Sequence, residues 1–270
     1  MRLLQISDPH LVADPRGLCR GRQPLQQLRR GLELALSGDH GPIDQLLLSG
    51  DLCHDESWQG YCRLRDLLQA WDLPAALAPG NHDHPQRLRA ALARHGAIAP
   101  ARVSCGSVDL LLLDSHLAAS DAGQLGAKQL AWLAAQLAQR DGRPLLVALH
   151  HPPVAIGDPL LDTMALRDGP ELLALLRPVA ELKAVLFGHI HQHWQGDLPG
   201  RAAGLPPVPL LGCPSSLCSF AAVQPCPLGR AEQPGMRLLT IDGAGRLSHA
   251  LLRWHPDGAS SLDAQRLPLS

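Results

Sequence analysis

The sequence predicts an α/β fold on two observations. Short apolar runs recur at residues 3–6, 46–49, 75–78, 110–113, 145–149 and 184–187, each of buried-strand length and each leading to a polar residue or glycine. Amphipathic helical patterns lie between them, and alternation of strand with helix is the signature of an α/β chain.

The first run leads into Asp8-Pro9-His10. A carboxylate and an imidazole two residues apart leave an extended backbone on one side, which suits a hard-to-borderline metal ion, although Asp-Pro also simply opens turns. Leu25, Leu28, Leu32 and Leu36 then follow helix spacing. The second run ends in Gly50-Asp51. Glycine permits close backbone approach, and Asp51 would project where open α/β sheets gather ligands, able to bridge two metals; a turn aspartate is the alternative.

Tyr61, Leu64, Leu68 and Trp71 predict the next helix, and run 75–78 leads to Gly80-Asn81-His82-Asp83. Such a density of polar groups exceeds what a connection needs. Asn81 can offer its amide oxygen to a metal, His82 a proton, and Asp83 an acceptor that orients an imidazole. A Gly-Asn turn before a helix start at His84-Pro85 accounts for Asn81 and Asp83 but not for His82.

Leu130, Leu133 and Leu137 predict a further helix, after which run 145–149 leads to His150-His151-Pro152-Pro153 and run 184–187 to Gly188-His189-Ile190-His191. His151 and His193 read as hydrogen-bonded surface histidines. The pattern then changes. Residues 208–211, 236–241 and 247–253 read as strands, the last two joined into a hairpin by Asp242-Gly243-Ala244-Gly245, whereas 196–235 are rich in Pro and Gly and read as long loops. One domain is expected, with a catalytic core over 1–195 completed by loops and hairpin over 196–270.

Lys and Arg number 24 against 25 Asp and Glu, so there is no basic field to attract a nucleic acid polymer or an anionic membrane; a small-molecule substrate fits better. No apolar run has the length of a membrane span and the start lacks a signal-peptide pattern, which makes the cytoplasm the expected compartment. The seven cysteines form an odd set without a CxxC pair, so free thiols are expected, including Cys213, Cys218 and Cys226.

The motifs Asp-x-His, Gly-Asp, Gly-Asn-His-Asp, His-His-Pro-Pro and Gly-His-x-His occur in that order, each behind an apolar run. In this the sequence resembles the calcineurin-like metallophosphoesterases from residue 1 to about 195. Within that family it is similar to the class III bacterial cyclic AMP phosphodiesterases. This likeness extends to the opening Leu4-Gln5-Ile6-Ser7-Asp8-Pro9-His10-Leu11, to Leu113-Asp114-Ser115, to Gly123-Gln124-Leu125 with Gln129-Leu130-Ala131-Trp132-Leu133, and to Leu166-Arg167-Asp168.

The resemblance implies a four-layer α/β/β/α sandwich of two mixed sheets with a C-terminal β-hairpin extension serving as cap or homodimer surface. It also implies two divalent metal ions. Asp8, His10, Asp51 and His191 would hold one, and Asp51, Asn81, His150 and His189 the other, with Asp51 bridging. The donors are oxygen and nitrogen without thiolate, which suits Fe or Mn first and Zn or Co otherwise. A metal-bridging hydroxide would then hydrolyse 3′,5′-cyclic AMP to 5′-AMP, with Asp51, Asn81 and His82 catalytic and the last two also touching substrate. Alternatives are another phosphodiester, a phosphomonoester, or a non-catalytic binding scaffold. With few aromatic residues, base stacking would fall to groups such as His54 and His116. The sequence departs from the family at Ser219, which stands before Phe220 where those enzymes carry Gln.

Overall fold

The computed structural model describes residues 1–38, 40–256 and 262–269. Strand and helix alternate through the first part: β1 (Arg2–Ile6), α1 (Pro24–Ser37), β2 (Gln45–Ser49), α2 (Trp58–Trp71), β3 (Ala75–Ala78), α3 (Pro85–Leu92) and β4 (Ala97–Ile98). Then come β5 (Ala101–Cys105), β6 (Val108–Leu112), α4 (Gly126–Ala138), β7 (Leu145–Ala148), α5 (Pro159–Thr163), α6 (Gly169–Leu176) and β8 (Leu182–Phe187). The chain closes with β9 (Trp194–Asp197), β10 (Pro209–Gly212), β11 (Gly235–Ile241), β12 (Leu247–Trp254) and β13 (Leu262–Leu267). No described helix is long and apolar enough to cross a membrane.

Two mixed sheets result, one ordered β13-β12-β11-β1-β2-β3-β4 and the other β5-β6-β7-β8-β10-β9. Strands β1 to β4 run parallel, as do β6, β7, β8 and β10, while β5 and β9 are antiparallel edges. Alternation of side chains divides the apolar residues into three cores. Leu4, Ile6, Leu46 and Leu48 pack with Leu28, Leu32, Leu64 and Leu88 of α1 to α3. Val147, Val185 and Phe187 pack with Leu133, Leu137 and Leu172 of α4 and α6. Between the sheets, Leu3, Leu47 and Leu239 meet Leu110, Leu146 and Leu186. Helix, sheet, sheet and helix are therefore stacked in four layers.

The six apolar runs all lie in strands, extended or shortened by one or two residues. The edge strands β5 and β13 escape sequence reading because neither contains an uninterrupted apolar run: β13 is largely open to water, and β5 is half-buried and interrupted by Arg102 and Ser104. The C-terminal hairpin is part of the sheet rather than an appendage. β11 pairs with β1 from Arg2↔Thr240 to Gln5↔Arg237 and is almost wholly buried.

Polar contacts pin the two sheets at one end. Gln5 Nε2 on β1 donates to Ser49 Oγ on β2 and to the Phe187 carbonyl on β8, each at 3.1 Å. The buried Arg237 on β11 donates across the gap to the Gly212 carbonyl at 2.7 Å and to His193 Nδ1 at 3.0 Å. His193 is therefore hydrogen-bonded but buried, and the expected surface position is corrected: a polar ring taken out of water needs a partner, and Arg237 supplies it. The same end is the C-terminal end of β1, β2, β3, β7 and β8, where all five sequence motifs emerge.

Gly31 on α1 offers a test of how tightly the outer layer packs. A Cβ there would sit 2.6 Å and 2.7 Å from the Trp254 ring and 2.8 Å from Met236. Helix propensity favours alanine over glycine by about 1 kcal/mol, but overpacking costs about 1–3 kcal/mol. Gly31→Ala is expected to be net destabilising, seen as a lower urea midpoint with an unchanged slope; a higher midpoint would mean that the Trp254 side yields.

Candidate metal centre

The strand ends turn into the site through strained backbone. Asp8, His10, Asp51, His189 and His191 all have positive φ, between 48° and 68°. Non-glycine residues avoid this region, and strain of about 1–3 kcal/mol apiece persists only where surrounding structure imposes it. The glycines of the motifs are required by close approach. A Cβ on Gly50 would lie 2.1 Å from His150 Nδ1, one on Gly80 2.2 Å from Asp51 Oδ1, and one on Gly188 1.9 Å from Ser7 Oγ. Backbone bonds join the motif loops: Asp8 N–H to the Gly50 carbonyl, His10 N–H to the Asp51 carbonyl and Gly188 N–H to the His150 carbonyl, each 3.0 Å.

All seven residues singled out as metal ligands come together, in two groups that share Asp51. In the first, Asp8, His10, Asp51 and His191 place one ligand atom each within 4.8 Å of one another. His10 Nε2 and His191 Nε2 are 3.0 Å apart, with Asp8 Oδ1 3.3 Å from His191 and Asp51 Oδ2 3.7 Å from His10. In the second, Asn81 Oδ1 lies 3.0 Å from His189 Nδ1 and 3.2 Å from His150 Nε2, and Asp51 Oδ1 lies 3.4 Å from His150. The two carboxylate oxygens of Asp51 thus face different groups.

The tautomers sharpen this picture. His150 Nδ1 lies 2.8 Å from the Ser49 carbonyl, and His191 Nδ1 lies 3.2 Å from the Cys218 carbonyl. A carbonyl only accepts, so each ring donates from Nδ1, and in its neutral form turns the Nε2 lone pair inward. Lone pairs and carboxylate oxygens converging on two small volumes repel one another unless cations lie among them. The donor set of imidazole, carboxylate and amide oxygen fits two divalent ions.

Electrostatics agrees. Burial by itself raises a carboxyl, yet the His150 and His10 rings hold Asp51 well below its usual range, and His191 and His150 hold Asp8 down. Burial likewise works against charge on His150 and His191, but Asp51 and Asp8 respectively raise each to about 9. His10 and His189 are pushed down to about 3, chiefly by burial. The two carboxylates draw positive charge into the space they face.

His82 sits at the mouth, with its N–H on Asp51 Oδ1 at 3.0 Å and its ring 5.0 Å from His10. His151 has both ring nitrogens engaged, by Ser115 Oγ at 2.8 Å and the Asp121 carbonyl at 3.1 Å, and is buried rather than at the surface. Sequence reading missed several supporting contacts. His54 places Nδ1 3.3 Å from His10 Nδ1; Tyr61, read only as a helix position, donates to Asp83; and Phe220 stacks on His191 at 4.3 Å. Their one signal was chemical type, since Tyr61 is the sole tyrosine and Phe220 one of two phenylalanines. His116 bonds the Gly80 carbonyl at 2.9 Å and, with Asn81, lines a cleft of about 620 Å³. None of the metal-competent groups among the described residues includes a cysteine, and Cys213 is a buried free thiol.

Asp83 underpins the Asn81 loop. Its carboxyl is pushed up to about 6 by burial and by Asp51, against hydrogen bonds from the N–H groups of Gly80, Leu52 and Cys53 at 2.9 to 3.1 Å. The Tyr61 hydroxyl adds a further donor at 3.0 Å. Asp83→Asn would turn an amide NH₂ toward this ring of donors. It is expected to lower stability by about 1–3 kcal/mol in urea and to weaken metal affinity about 10–100-fold in a chelator competition. Unchanged affinity would separate Asp83 from the metal centre.

Comparison with known proteins follows the same line. Residues 1–193 match the family described as calcineurin-like phosphoesterase. The chain is 48% identical to a probable cyclic nucleotide phosphodiesterase of Synechococcus sp. (strain WH7803), over 94% of this chain and 96% of that protein. It is 32% identical to the 3′,5′-cyclic adenosine monophosphate phosphodiesterase CpdA of Escherichia coli (strain K12), over 96% of this chain and 94% of CpdA. Its fold is similar to that of a dimetal phosphatase from Danio rerio, with TM-score 0.67 at 12% identity over 100% of this chain and 99% of the other. With the family profile spanning the strand-end motifs and the four-layer architecture in place, the chain belongs to the calcineurin-like phosphoesterases.

Proposed function

We propose that this protein hydrolyses 3′,5′-cyclic AMP to 5′-AMP. The observation that carries the reading is the pair of donor groups sharing Asp51, whose two oxygens face opposite sets of imidazoles. The names of the two relatives at 48% and 32% identity support a cyclic nucleotide over other phosphate esters. Asp8, His10, Asp51 and His191 would hold one divalent ion, and Asp51, Asn81, His150 and His189 the other; Fe and Mn would suit the oxygen and nitrogen donors, as would Zn and Co. Two such ions supply Lewis acidity toward the phosphoryl oxygens and a deprotonated water at neutral pH.

The residues of the chain do the rest. Attack of the water oxygen on phosphorus forms one P–O bond as the P–O3′ bond breaks opposite it. The departing 3′-oxygen needs a proton, which His82 delivers from the mouth of the site, where its backbone is tied to Asp51. Asn81 contacts the same phosphoryl group while holding its amide oxygen in the second donor group. The Ser49 and Cys218 carbonyls keep His150 and His191 in the tautomers that face inward. The chemistry belongs in the cytoplasm, where the seven free thiols are stable.

Metal-reconstituted protein is expected to cleave cyclic AMP and bis(p-nitrophenyl) phosphate and to spare p-nitrophenyl phosphate. His82→Ala is expected to lower turnover about 100-fold or more with metal content unchanged, whereas Asn81→Ala should lose activity and bound metal together. Cleavage of the monoester alone would keep the metal centre and refute the substrate. No cleavage with two metals bound would make the chain a binding scaffold.

A further inference from the structure

The connection between β1 and α1 folds over the site and ends in a tight reversal. Cys19 and Arg22 exchange both backbone hydrogen bonds, at 2.9 Å and 3.0 Å, with Arg20 and Gly21 at the tip. Their φ values are +50° and +74°. Two successive positive φ angles make a type I′ reversal, whose first central position favours Asn, Asp or Gly; an arginine is strained there. No local reason for arginine exists in the turn itself.

What the side chain does suggests one. The Arg20 guanidinium lies 4.9 Å from the centre of the Phe220 ring, and Phe220 in turn lies flat on His191, 4.3 Å away and 4° from coplanar. Among the described residues this guanidinium makes no hydrogen bond or ion pair. Stacking on an aromatic face orients a guanidinium while leaving its N–H edge unspent. Its position can be triangulated. Phe220 covers His191, and His191 in turn approaches His10 to 3.0 Å. Arg20, exposed to solvent, is therefore joined through Phe220 to His191 of the first donor group.

We propose that Arg20, oriented by Phe220, binds an anionic phosphoryl oxygen of the substrate, with Phe220 as its positioning residue. A planar two-pronged donor matches the geometry of a phosphodiester, and the substrate supplies the acceptor that the protein does not. The inference rests on the phosphodiesterase reading above.

The test uses metal-loaded protein with cyclic AMP and with bis(p-nitrophenyl) phosphate, which has no nucleoside. Arg20→Asn suits the turn, so its thermal midpoint and metal content should equal or exceed those of the parent. Its kcat/KM should fall about 10–100-fold on both substrates, the usual effect of losing a charge-assisted hydrogen bond. Arg20→Lys should recover only part of this, and Phe220→Leu should lose about 2–5-fold, as expected for a removed cation–π contact. Unchanged kcat/KM in Arg20→Asn overturns the proposal. A loss confined to cyclic AMP overturns it too, since Arg20 would then read the base; a matching loss of stability or metal would make it structural. If the parent cleaves neither substrate, the phosphodiesterase reading fails by itself, and calorimetric titration with orthovanadate still decides: weaker binding by Arg20→Asn supports the phosphoryl contact, and equal binding refutes it.

Discussion

Two carboxylates, Asp8 and Asp51, are buried at the seam between the sheets with no lysine or arginine paired to either among the described residues, and much of the architecture follows from accommodating them. An ionised carboxylate removed from water must be hydrogen-bonded or paired. The protein meets that demand with three imidazoles, His10, His150 and His191, drawn from three strand ends, and with backbone N–H groups, those of His82 on Asp51 and His189 on Asp8. Bringing His189 to Asp8 requires the end of β8 in one sheet to lie against the end of β1 in the other. The Gln5 side chain, bonded to Ser49 and Phe187, pins that junction from β1, three residues before Asp8.

The local backbone bears the cost. Five of the seven ligand candidates sit in left-handed conformations, and three glycines are in such tight contact that a methyl group would overlap a neighbouring side chain. Strain of this extent survives because three separate apolar cores hold the strands behind it. Glycine at positions 50, 80 and 188 is therefore a consequence of the charges: donors can converge only if the chain between them takes almost no space.

The surroundings of the ligands form a second level of organisation. Asp83, held by three backbone N–H groups and Tyr61, shapes the loop that presents Asn81 and His82. His54 backs His10, and Phe220 backs His191. Both histidines of the first donor group are thereby kept from rotating, and the cation at the rim is attached to the same stack.

The strand-end motifs were legible from sequence because buried parallel strands read as uninterrupted apolar runs, so the residues that stop each run stand out. Asp8, Asp51, Asn81, His150 and His189 are all of this kind, and the alternation of runs with helical patterns was enough for an α/β fold. Edge strands β5 and β13 were not legible, since neither contains such an uninterrupted apolar run. Nor were the contacts of His54, Tyr61, Phe220 and Arg20, whose partners lie at sequence separations that no periodicity encodes. Tertiary structure alone decided that the C-terminal hairpin pairs with β1 across some 235 residues and that His193 is buried under Arg237. The physical reason is the same for each: sequence pattern records which face of an element avoids water, whereas contacts between elements depend on how those faces close over one another.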